Sequence, residues 1–302
     1  MAITAIGFVF FSNQQLKRKM IGGKRVFDKN VEVNGINFHY REWGDADAPP
    51  LLILHGLTGH AWEFDSVARS LSDQFYVIVL NQRGHGATSR AGDYSPAIMA
   101  GDIAAFIDAL GLGSVYLAGH SMGAVNGWWF ASQHPGKIKR LVLLDIEPDV
   151  VTSEDVVTGW INALNAYARG RYDNQEEAVE QYLSGYSGLH REELRRFVLN
   201  NLKEEENGNR WMWRFDASGL QKWMINASLA KEELWNKLKL ISCPTLILAA
   251  SDSPFTSIRT MEQMTHEIPD SKLVVISDTG HDIHIDQREA LLKELQHFFL
   301  AE

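Results

Sequence analysis

Ser121 stands at the centre of Gly119-His-Ser-Met-Gly123, which joins an apolar, strand-like run, Val115-Tyr-Leu117, to a helix-like segment. A serine hydroxyl is a weak nucleophile until a positioned base takes its proton. Gly-x-Ser-x-Gly between strand and helix is the pattern of a strained turn that lifts a serine off the end of a sheet, with glycines leaving room for it. A base comes downstream. His281, in Asp278-Thr-Gly-His-Asp-Ile-His284, follows the last strand-like run, and Gly280 frees that loop to turn back toward Ser121. A carboxylate must orient the imidazole, and two qualify, because Asp145 and Asp252 each follow a strand-like run and keep the order serine, acid, histidine. Asp145 is preferred since it ends Leu141-Val-Leu-Leu144 beside the expected elbow strand; Asp252 is the alternative, and the unused one should bond its own loop. His120 and His284 are expected to pack around the site. Two backbone N–H groups, of Leu57 in His55-Gly-Leu-Thr-Gly59 and of Met122 at the start of the elbow helix, could stabilise an oxyanion. Together these residues suit acyl transfer through a serine ester.

The elements that must hold them can be read in order. Val31 to Tyr40 alternates around Asn34-Gly35, which predicts a hairpin with a type I′ turn. Leu51–Leu54, Phe75–Leu80, Ser114–Leu117, Ile138–Leu144, Thr245–Ala249 and Lys272–Ile276 read as strands buried on both faces. Helix-like stretches alternate with them: Ala61–Leu71, Ile98–Leu110 behind a Ser95-Pro96 cap, residues 122–134, and Gln287–Leu300. That alternation specifies an α/β fold with a mostly parallel central sheet flanked by helices, whose functional groups gather at the carboxyl ends of the strands. From about Val150 the rhythm changes. Residues 151–235 carry charge-rich helical stretches and five tryptophans, Trp160, Trp211, Trp213, Trp223 and Trp235, and read as an inserted helical cap. The expected layout is an amino-terminal extension over 1–20, a core over 21–150 and 236–302, and the cap between. Trp128, Trp160, Tyr186, Trp211 and Trp223 are the candidate walls of a crevice between cap and core, suited to a largely apolar ligand.

The chain of 302 residues is 45 % hydrophobic and 22 % charged, enough for one large core. Its formal net charge of −9 argues against nucleic acid and anionic membranes, which select basic patches, and favours a small-molecule substrate. The lone cysteine, Cys243, cannot form an intramolecular disulfide, which favours a reducing, cytoplasmic setting. Ala5–Phe11 is apolar, but the basic cluster Lys17-Arg-Lys19 follows it rather than precedes it, the wrong order for a signal peptide, and the run is too short to span a membrane. No integral membrane association, cofactor or metal is expected; the crowding of His281, His284 and Asp286 is the one competing metal arrangement, and it would leave the elbow unexplained.

With these residues in place the sequence resembles the α/β-hydrolase superfamily from about Val31 onward. The matching pieces are His55-Gly56, Arg83-Gly-His-Gly86, Gly119-His-Ser-Met-Gly123 and Gly280-His281. The resemblance implies that fold and a serine hydrolase acting on a carboxylic ester or lactone. Leu144-Asp-Ile-Glu-Pro148 is similar to the branch whose acid follows the strand after the elbow. Relatives in that branch with dehalogenase or epoxide-opening chemistry use an aspartate nucleophile, where this chain has Ser121. Asn81 stands where relatives often carry aspartate and is expected to alter loop hydrogen bonding rather than chemistry. Trp211-Met-Trp-Arg-Phe-Asp216 resembles the cap segment of small-molecule esterases, lactonases and carbon–carbon bond hydrolases. Carbon–carbon hydrolysis, cofactor-free haloperoxidase or perhydrolase chemistry, and a slow-turnover receptor are the alternatives that the resemblance also allows.

Overall fold

Asn34 and Gly35 take φ of 53° and 75°, both in the left-handed region that the tight turn requires. The turn joins β2 (Lys24–Val33) to β3 (Ile36–Trp43) in antiparallel register, with Val33 opposite Ile36. The computed structural model describes residues 17–21, 24–184, 190–206 and 208–301. Within the segment expected to be a loose extension, Lys17–Ile21 forms β1, paired antiparallel with β2 at the sheet edge. The main-chain ladder with β2 therefore ties this part of the extension down.

The sheet continues through β4 (Pro50–Leu54), β5 (Tyr76–Leu80), β6 (Val115–His120) and β7 (Ile138–Leu144). Two short strands inside the insertion, β8 (Leu202–Glu204) and β9 (Trp211–Trp213), pair only with each other, and β10 (Thr245–Ala250) and β11 (Ser271–Ile276) complete the main sheet. The order is β1-β2-β3-β5-β4-β6-β7-β10-β11, and every pairing from β5 to β11 along this order is parallel. Successive strand residues point to opposite faces, so both faces of the parallel strands must be covered. Leu52, Leu54, Leu117, Leu141, Leu143 and Ile247 pack on one face, beneath helices Pro96–Ala109 and Met122–Gln133. Leu51, Ile53, Val77, Val79, Val142 and Leu248 pack on the other, beneath helices Asp65–Leu71 and Arg288–Phe299. Each such leucine or valine contributes roughly 1.5–3 kcal/mol by leaving water. Ser95 caps its helix by accepting from the Ile98 amide at 3.1 Å.

Between β7 and β10 the chain leaves the sheet and forms helices Glu154–Arg169, Gln175–Ser184, Arg191–Asn201 and Ala217–Leu229 around the β8–β9 pair. Helix Lys231–Leu238 straddles the expected boundary at 235, because Leu234 and Leu238 are fully buried in the core cluster that also holds helix Met122–Gln133. The insertion is stitched down by side-chain bonds to core backbone: Asn201 Nδ2 donates to the Thr58 carbonyl at 2.7 Å and Asn226 Nδ2 to the Tyr94 carbonyl at 2.5 Å. Among the described residues, no helix is long and apolar enough to cross a membrane.

Candidate active site

Ser121 sits between β6 and its helix at φ 52° and ψ −120°, a backbone conformation that L-residues seldom adopt. The turn is possible because glycine stands two residues to either side. A Cβ on Gly119 would lie 2.5 Å from the Gly123 carbonyl oxygen, and a Cβ on Gly123 2.5 Å from that of Leu54. Three main-chain bonds fix the serine: its amide donates to the Leu144 carbonyl at 3.0 Å, and its carbonyl accepts from the amides of Ala124 and Val125.

Asp145, fully buried at the end of β7, also has positive φ, 46°. Its Oδ2 accepts from His281 Nδ1 at 2.7 Å and from Ser253 Oγ at 2.5 Å, and its Oδ1 from the Ala250 amide and Thr256 Oγ1, both at 2.9 Å. Four donors compensate the loss of water around this carboxylate. Asp252 is exposed, and its Oδ2 accepts from Ser251 Oγ at 2.8 Å while its amide bonds the Thr279 carbonyl. Thus the Asp145 carboxylate, and not that of Asp252, meets His281. The His281 ring packs edge-on to Phe255, with centroids 4.7 Å apart.

Leu57 lies in the loop after β4, drawn close to the elbow: a Cβ on Gly56 would fall 3.3 Å from Ser121 Cβ. His55, buried at the start of that loop, accepts the Gln82 amide on Nε2 at 3.1 Å, and Gln82 Nε2 returns a bond to the His55 carbonyl at 2.7 Å. Asn126 on the elbow helix donates to Gln82 Oε1 at 2.8 Å and accepts from Trp223 Nε1 at 3.0 Å. This buried chain of amides links the loop to the insertion. The residue types carried no sequence signal for it, because a buried Gln and Asn look like surface residues until their partners are known.

The Arg83-Gly-His-Gly86 segment is structural. Arg83 makes a two-pronged pair with Asp102, at 2.7 and 2.8 Å, and Asn81 bonds the Ala61 amide and His39. Burial pushes His85 down to about 4 and His60 down to about 3, so both are neutral near neutral pH. His120 and His284 are buried beside His281, with their ring centroids 4.9 Å apart; burial holds His120 well below its ordinary value and His284 at about 4. Glu63 is shifted well upward by burial and by Asp282.

Ser121 and His281 open on a cavity of about 660 Å³, and a smaller apolar chamber of about 30 Å³ adjoins it at the same two residues. Trp160 lines both, and Trp223 lines the smaller together with Leu57, Met122, Val150 and Val156. Two expected walls need correction. Trp128 is fully buried in the core cluster, since its helix is covered on every side, and Trp211 lies two residues along β9 from Trp213, which takes the wall position. Tyr186 lies outside the described residues. Tyr167, Tyr182, Leu194, Phe197 and Phe255 supply walls that sequence reasoning did not single out, because their periodicity is that of any amphipathic helix or loop.

A mostly parallel sheet with a strained serine at the end of an interior strand, β6, defines the class. The chain belongs to the α/β hydrolase fold family, whose model matches residues 49–287, and it is an enzyme of that family. It is 26% identical to mouse "sn-1-specific diacylglycerol lipase ABHD11" over 260 residues, covering 84% of this chain and 82% of that one. It is also 26% identical over 254 residues to "Esterase Rv0045c" of Mycobacterium tuberculosis, covering 83% and 82% of the two chains. The crystal structure of E-2-(acetamidomethylene)succinate hydrolase superposes with a TM-score of 0.82 at 24% identity, over 91% of this chain and all of that one. Its likeness is one of fold.

Proposed function

We propose that the protein is a serine hydrolase that cleaves a carboxylic ester or lactone of a small, largely apolar substrate through an acyl-enzyme. Ser121 Oγ attacks the carbonyl carbon while His281 takes its proton; Asp145 holds the imidazole in the tautomer with hydrogen on Nδ1 and stabilises the imidazolium. The N–H groups of Leu57 and Met122 receive the oxyanion. The tetrahedral intermediate collapses as His281 hands the proton to the leaving alcohol, and a water activated by the same base then releases the acid. The observation that carries this reading is the Asp145–His281 bond at 2.7 Å, opening on the same cavity as a serine held at φ 52°.

The unequal chambers meeting at Ser121 support a substrate with one compact and one bulky side, so that lengthening one side should stop turnover while lengthening the other is tolerated. The relatives named as lipase and esterase agree with ester cleavage. The test is Ser121→Ala on a panel of aryl esters and lactones: kcat is expected to fall by about four to six orders of magnitude with the fold intact. A phosphonylating reagent should add once, at Ser121. Full activity in the alanine variant would sink the assignment.

A further inference from the structure

Beside the triad, on the floor of the larger cavity, Glu63, His120 and His284 each offer a ligand atom within 4.8 Å of the other two. They come from three separate elements: the turn Ala61–Phe64, the end of β6 and the short helix Ile283–Asp286. Both histidines are buried, and the Nδ1 atoms of both lack a hydrogen-bond partner. Leaving such a nitrogen unpaired costs on the order of 1–3 kcal/mol, so two in one cluster call for an occupant. The tautomer of His120 follows from its other nitrogen. Nε2 lies 3.0 Å from the His281 carbonyl, which can only accept, so Nε2 carries the hydrogen and Nδ1 the lone pair. A backbone carbonyl orienting one imidazole nitrogen while the lone pair of the other finds no donor is the arrangement that supports a metal-bound histidine.

We propose that Glu63, His120 and His284 form a binding site for a zinc-like transition-metal ion at the cavity floor, and that its occupation inhibits the enzyme. Two imidazoles and a carboxylate are three of the four ligands that zinc takes, and the fourth position faces the cavity. Zinc–ligand bonds of about 2.0–2.1 Å imply ligand spacings of about 3.4 Å, so the cluster must close by about 1 Å. Glu63 can supply that movement, since the bond its carboxylate accepts from the His60 amide is long, at 3.3 Å. An ion there would sit where substrate must pass to reach Ser121, and it would add positive charge beside an imidazole that has to become imidazolium. Only this kinetic consequence rests on the hydrolase reading; the binding does not.

Calorimetric titration of zinc chloride into the chelator-treated full chain tests it. One equivalent should bind, and Glu63→Gln and His284→Gln, checked for folding by circular dichroism, should each weaken binding by at least about tenfold, the loss typical of removing even a supporting group. Ser121→Ala and His281→Ala should bind zinc as the native chain does, and in the native enzyme zinc should inhibit competitively with substrate, with chelator restoring activity. Absence of saturable binding overturns the proposal. So does binding that survives both Glu63→Gln and His284→Gln, or that His281→Ala abolishes, since the ion would then sit on the triad base or at the surface. Because zinc binding by Ser121→Ala is read without turnover, failure of the site and failure of the esterase assignment give different results.

Discussion

On the sheet side of the cavity, Ser121, Asp145 and His281 are held by main-chain geometry and by hydrogen bonds of 2.5–3.1 Å from β6, β7, β10 and the segments that follow them. On the side of the insertion, Tyr167, Tyr182, Leu194, Phe197 and Trp213 supply rings and aliphatic surface from helices tied down by a few polar bonds, such as those of Asn201 and Asn226. Directional bonds fix atoms to a fraction of an ångström, as proton transfer requires, whereas apolar contact fixes only volume and shape. The difference teaches that substitutions on the first side should change the rate of chemistry and those on the second should change which substrates fit.

The largest effect separates the two carboxylates. Asp145→Asn should lower kcat by roughly three to four orders of magnitude, because the amide stabilises the wrong imidazole tautomer. Asp252→Asn should stay within about threefold, the range of an exposed surface change. Equal mild losses in both would break the comparison at its root. Next comes acid stability of the sheet side. His60 and His85 have folded values of about 3 and about 4, below the unfolded value near 6.5, so the unfolded chain binds more protons between those limits. Stability from their burial is therefore complete above about pH 6.5 and is lost as pH falls toward 4, at up to about 1.4 kcal/mol per pH unit for each. Urea unfolding at pH 7, 5.5 and 4.5 reads that slope, and His85→Asn should flatten it; an unchanged slope would contradict the burial argument. Smallest is the effect on the insertion: Phe197→Ala or Tyr182→Ala should raise KM about five- to twentyfold for bulky esters, with kcat within about twofold. A collapse of kcat in either would show that the insertion takes part in positioning the reacting groups.

Much of the sheet was legible, because its strands are short apolar runs buried on both faces and its hairpin turn has Asn-Gly. The segments that escaped notice lack such a pattern: β1 sits at an edge where pairing, not hydrophobicity, decides, and β8 and β9 have three residues each. The tryptophans show the same limit. Trp160 and Trp223 reach the cavity walls while Trp128 is core, although residue type and helical setting are shared.

By itself the sequence determined the α/β fold, through strand and helix periodicity, and the elbow around Ser121, through glycines that nothing larger can replace. It named His281 and two carboxylates in chain order. Only the tertiary structure brings one of those carboxylates to His281: the end of β10 and the loop after it carry Ala250, Ser253 and Thr256 to the Asp145 carboxylate, which His281 Nδ1 meets, whereas Asp252 is exposed. Likewise it alone brought Glu63, His120 and His284 together. Chain order records which groups exist, but a hydrogen bond or a ligand set depends on distances of a few ångströms between segments up to 221 residues apart (284 − 63), and only packing sets those.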